Sequence, residues 1–191
     1  MNRGWNIYAL SYCLDEDYPA IKGPRAMSEL WLEVDGRKKA GLPFADLLDQ
    51  IAYKLKVRKR WPLVDCLSMV PGIGVSARAR KVLEELGVPG MQFLRFHVNN
   101  EPFYLFYTER CLDCLDHARA EIECFAGTAR TRRVHRFAFK EGCLQPCDVF
   151  TLPELSDGMF FWCQETFFTA AARDKFEKAG LVGFRFEDLP S

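Results

Sequence analysis

Cysteine is the residue type whose spacing first suggests chemistry. Cys111 and Cys114 form a Cys-x-x-Cys pair, and Cys143 and Cys147 follow further on. Together they outline a four-thiolate zinc site, with His117 as a nearby nitrogen donor. Their neighbours read against it. Leu112 and Asp113 stand where a zinc knuckle needs a Gly-rich turn, and the second pair encloses three residues, Pro146 among them. No strand–Cys-x-x-Cys–helix context supports a thioredoxin-like role either. The histidines are His97, His117 and His135, and no Gly-x-Ser-x-Gly elbow supplies a nucleophile for them. A free cysteine beside one of these histidines is the remaining catalytic arrangement, and nothing favours it over a buried thiol. Pro71-Gly72-Ile73-Gly74 lacks the completion of a phosphate loop and reads as a tight turn before a helix. The expectation is no catalytic residue, no metal and no cofactor. The alternative is a zinc- or thiol-dependent enzyme built on Cys111, Cys114, Cys143 and Cys147.

The elements that would position these side chains follow from patterning. A chain of 191 residues, 49% hydrophobic and 27% charged, can bury a core and is too apolar to be disordered. Lys+Arg and Asp+Glu both number 26, so overall charge does not steer the chain to nucleic acid or to an acidic membrane. No apolar run approaches a membrane span, and the N-terminus is a poor secretory signal. These features predict a cytoplasmic protein whose eight cysteines sit reduced, as buried thiols.

Trp5 to Tyr12 and Glu29 to Val34 read as strands, and Leu42 to Lys56 has apolar residues at helical spacing. Ser76 is a plausible N-cap for a helix carrying Ala79, Val82, Leu83 and Leu86 on one face, with Gly87 as its stop. A strand from Met91 to Val98 follows. Pro102 to Thr108 and Val134 to Phe139 are further strand-like runs, and Asp148 to Leu152 and Met159 to Cys163 are short apolar runs. At a constant offset of 93, residues 172–186 match residues 79–93 at six of fifteen positions, and both read helix, Gly stop, second Gly, aromatic strand. Generic capping chemistry can produce such a likeness without a true repeat. No linker or low-complexity segment divides residues 1–191. The fold class expected is α+β in a single domain, a mixed or antiparallel sheet with two to three helices.

Charge is laid out in patches. Lys54 to Arg60 and Arg130 to Arg136 are basic, whereas Asp113, Asp116, Glu121 and Glu123 are acidic. Each patch alone reads as solvated surface, and as a set they suit an interface that pairs complementary charge. Aromatic interleaving is slight, limited to Tyr53 and Trp61, so a nucleic-acid platform is the weaker reading. The expected partner contacts are Asp113, Asp116, Glu121, Glu123, Arg130, Arg132 and Trp61.

Several phrases resemble a known family when taken in order. They are Val75-Ser76, Val88-Pro89-Gly90-Met91-Gln92-Phe93, Phe103-Tyr104, Leu112-Asp113-Cys114-Leu115-Asp116, Asp148-Val149-Phe150 and the ending from Phe176 to Phe186. Over about residues 62–189 the chain resembles the Myxococcus-type immunity protein of bacterial polymorphic toxin systems, eleventh in that series and formerly a domain of unknown function. The resemblance implies a cytoplasmic antidote that binds and blocks a cognate toxin domain. It implies no catalytic residues, and Cys111, Cys143 and Cys147 stand outside its pattern.

Overall fold

Ser76 and Gly87 bracket the best-marked helix in the chain, and the structure shows the chemistry that makes them do so. In this computed structural model, the described residues are 6–12, 21–22, 27–41, 47, 52–55, 64–69, 72–98, 100–155 and 165–190. Ser76 has extended backbone, and its hydroxyl accepts from the Ala79 N–H at 3.1 Å. That satisfies a donor the first helical turn cannot bond internally. Helix Ala77–Glu85 then buries Ala79 and Leu83 and ends at Gly87, whose φ of 69° is open to glycine without strain.

In chain order the elements are β1 (Ile7–Tyr12), β2 (Ile21–Lys22), α1 (Met27–Lys39), β3 (Ala52–Leu55), β4 (Cys66–Met69), β5 (Gly72–Ser76) and α2 (Ala77–Glu85). Then come β6 (Met91–Val98), β7 (Glu101–Thr108), β8 (Glu121–Cys124), β9 (Thr131–Arg136), β10 (Val149–Phe150), β11 (Phe167–Thr169), α3 (Ala170–Lys178) and β12 (Phe184–Asp188). The fold class is α+β, as expected.

The offset of 93 marks a structural repeat. Thr169 takes the same extended backbone before α3 that Ser76 takes before α2, and Ala172, Phe176 and Gly180 occupy the places of Ala79, Leu83 and Gly87. Strands β5 and β6 both run antiparallel to β7, which lies between them, and α2 connects them. Strands β11 and β12 both run antiparallel to β1, which lies between them, and α3 connects them. Each unit is thus a split βαβ, extended by an antiparallel strand that precedes it in the chain, β4 in one and β10 in the other. Sheet order is β10-β11-β1-β12 in one unit and β4-β5-β7-β6 in the other, where β3 and β2 extend the edge beyond β6.

One apolar core joins the two units. It contains Val75, Ala79, Leu83 and Phe106 from the first, with Leu10, Phe168, Ala172 and Phe176 from the second. Strand alternation splits the second sheet between two cores. Leu10, Val149 and Phe168 face the shared core, whereas Ile7, Ala9, Phe150 and Phe167 face another that is closed by Cys114, Leu144 and Leu152. Segment 111–155 therefore covers the outer face of the second sheet. Each unit also opens on a buried aspartate whose carbonyl accepts from the helix N-cap residue, Asp65 from Ser76 at 2.9 Å and Asp148 from Thr169 at 3.1 Å.

Four expectations are corrected. Glu29 to Val34 lies inside α1 and not in a strand, because Glu33–Arg37 and Asp35–Lys39 ion pairs at 2.7 Å support helical spacing. The helix expected over Leu42 to Lys56 gives way to strand from Ala52 to Leu55, which pairs with β2 and β6, although Leu47 is helical and buried. Gly72 to Gly74 belongs to β5, paired with β4, and does not form a tight turn. The thiols are not uniformly buried: Cys66 and Cys114 are, Cys143 and Cys147 are partly so, and Cys111 and Cys124 are exposed. Trp61, Cys13 and the run from Met159 to Cys163 lie outside the described residues.

Candidate protein-binding surface

Cys114 has the clearest environment among the thiols. Burial pushes its pKa up to about 12, and the neighbouring Cys143 adds to the effect. That is the opposite of an activated thiolate. Cys111 instead bridges to Thr151 and is exposed. Among the described residues, no group of three or more His, Cys, Asp or Glu side chains is placed to hold a metal ion. The histidines face carboxylates: His117 Nε2 lies 2.6 Å from Glu154 Oε1, and His135 Nε2 lies 3.0 Å from Glu123 Oε2. His97 is a residue of β6, as its alternation with Phe96 and Val98 implies. Nothing in this geometry supports an enzyme built on the cysteines.

The charged set occupies one loop and one hairpin. Along residues 111–116, Cys114 and Leu115 are buried and Leu112 partly so, whereas Asp113 is exposed. Lys140 donates to Asp113 at 2.7 Å, and this hydrogen bond is the main reason the Asp113 carboxyl is held below the usual carboxylate range. Asp116 does a different job. Its N–H donates to the Ala138 carbonyl at 2.7 Å, its carbonyl accepts from Arg119 and Ala120, and its carboxylate accepts from the Ala118 N–H at 3.1 Å. Asp116 therefore shapes the turn leading to the hairpin.

The hairpin pairs β8 with β9, with Glu121 opposite Arg136 and Ile122 opposite Val134. Val134 is its one buried residue over 121–136. Glu123 takes the Arg132 guanidinium at 2.7 Å, and His135 together with Arg132 holds its carboxyl below the ordinary range. The tip is closed by Phe125 N–H donating to the Arg130 carbonyl at 2.9 Å and Thr128 N–H donating to the Phe125 carbonyl at 3.0 Å. Arg130 carries its guanidinium 5.4 Å from the centre of the Phe125 ring. Of the expected contacts, the hairpin collects Glu121, Glu123, Arg130 and Arg132, and the adjoining loop carries Asp113 and Asp116.

A family model matches residues 23–191 and is described as an immunity protein family, Imm11. The chain belongs to the Imm11 immunity protein family. The match takes in the loop, the hairpin, the first unit and the second apart from β1, and it extends N-terminal of the expected 62–189 to include α1 and β3. A search of curated proteins finds no sequence match. Beside the expected residues the loop and hairpin carry Phe125 and Lys140, which sequence reasoning did not single out. A signal for Phe125 was present, since it stands in Cys-Phe-Ala-Gly-Thr, a lone aromatic beside the turn-forming Gly127.

Proposed function

We propose that this protein is a cytoplasmic antidote that binds the toxic domain of a cognate polymorphic toxin and blocks it by occupying its surface. The observation that carries this reading is the Imm11 family match over residues 23–191. An antidote needs tight binding on a preorganised face and needs no chemistry of its own. The high-pKa thiol at Cys114 fits that requirement, and on this reading the protein acts without catalysis. The chain functions as one immunity domain, and Asp113, Glu121, Glu123, Arg130 and Arg132 belong to its contact face. Asp116 supports that face from behind.

Co-expression tests the proposal. In a bacterial host making the toxin encoded beside this gene, the chain restores growth, and the purified pair elutes as one complex. Undiminished killing at high antidote levels would refute it.

A further inference from the structure

We infer that the tip and basic flank of the β8–β9 hairpin form the anchor that seats in an acidic, apolar-centred recess of the toxin domain. This deepens the proposed function and rests on it. Phe125 is 45% exposed and, with Leu32, is one of the two large exposed apolar side chains among the described residues. Exposed aromatic tips are the side chains that most often carry binding energy, because they bury much area while freezing few torsions. Phe125 is also held in place by the Arg130 guanidinium and the two tip hydrogen bonds, so little ordering is needed on binding.

Charge defines the partner. The chain as a whole is neutral, yet residues 119–136 carry Arg119, Arg130, Arg132, Arg133 and Arg136 against only Glu121 and Glu123. An excess of arginine along the hairpin, with Arg130 set against the exposed ring, fits an acidic protein rim around an apolar socket. A nucleic acid is the poorer fit. Glu123 sits among the arginines and engages both Arg132 and His135, and a single ring provides no stacking series.

The experiment uses the full chain and, as probe, an inactivated form of the toxin domain encoded beside this gene, with affinity measured by calorimetry. Phe125→Ala weakens binding about tenfold or more. Arg130→Glu combined with Arg133→Glu weakens it about a hundredfold. Lys81→Glu, a charge reversal on an exposed α2 position, leaves it unchanged. Added salt weakens wild-type binding, a readout that stands even if a hairpin variant fails to fold. Wild-type binding that is insensitive to salt and to both hairpin changes, or an equal loss in Lys81→Glu, overturns this inference and leaves the antidote reading standing. No binding by the wild type overturns both. Tighter binding to a labelled single-stranded oligonucleotide than to the toxin domain overturns the assignment of a protein partner.

Discussion

Asp65 and Arg78 lock the first unit onto the second. The Arg78 guanidinium donates to both Asp65 carboxylate oxygens, Nε at 3.1 Å, and also to the Gly180 carbonyl at 3.0 Å, just past the end of α3. The same carboxylate accepts from the Val182 N–H at 2.9 Å, while the Asp65 N–H donates to the Val182 carbonyl at 2.8 Å. One buried acid thus collects donors from an N-cap, a helix and the opposite unit.

Replacing that acid should loosen the joint. Asp65→Asn keeps the shape but leaves the arginine without its counter-charge; because Arg78 is 55% exposed and can be hydrated, the loss is about 2–3 kcal/mol. Urea unfolding followed by circular dichroism measures it. Asp148 is 1% exposed and its partner Arg110 only 24%, so Asp148→Asn should cost more, about 3–5 kcal/mol. An equal or smaller loss at Asp148 would contradict this ranking by burial.

The same site makes stability depend on acid. Burial pushes the Asp65 pKa up, but the hydrogen bonds from Arg78, Ser76 and Val182 outweigh it and hold the carboxyl below its ordinary value. The unfolded chain therefore binds this proton more readily than the folded one. Its stabilisation is complete above the unfolded carboxylate range, near pH 4, and fades as pH falls through the lower folded value. Melting temperatures taken from pH 6 to pH 3 should fall less steeply in Asp65→Asn than in the wild type.

Two glycines in equivalent places should respond unlike a third. At Gly183, with φ of 100°, a Cβ would lie 3.2 Å from both the Cβ and the carbonyl oxygen of Cys66. At Gly90, with φ of 82°, it would lie 3.2 Å from the Arg110 backbone nitrogen. Gly87 has φ of 69° and open space around it. Gly87→Ala should lose about 1 kcal/mol from backbone strain alone, and Gly183→Ala about 1–3 kcal/mol more from crowding. Chemical denaturation of the three single variants checks the order.

Thiol reactivity should divide by burial. In the native protein, iodoacetamide should label the exposed Cys111 and Cys124 and spare Cys114, whose pKa near 12 leaves almost no thiolate at neutral pH. Unfolding in urea should bring Cys114 into reach. Peptide mass spectrometry reads each site, and early native labelling at Cys114 would count against its buried placement.

What the order of residues determined by itself is local or repeated chemistry. The Ser76 cap, the Gly87 and Gly180 stops and the strand Met91–Val98 each depend on neighbours a few residues away, so spacing reveals them. The repeat at offset 93 was visible for the same reason, since equal caps and equal buried positions leave equal letters. The charged patches of the loop and hairpin were legible as composition.

Tertiary structure decided what depends on distant partners. Ala52–Leu55 carries a helical pattern yet forms strand, because strand edges at β2 and β6 supply its pairing. Glu29 to Val34 has strand-like residues yet lies in α1, where ion pairs one turn apart and the burial of Val34 prevail. The aspartate anchors were hidden because their arginines lie 13 and 38 residues away, and only the fold closes those gaps. Exposure of Phe125 likewise follows from the surface its hairpin leaves uncovered, since burial belongs to the packed chain and not to any residue in it.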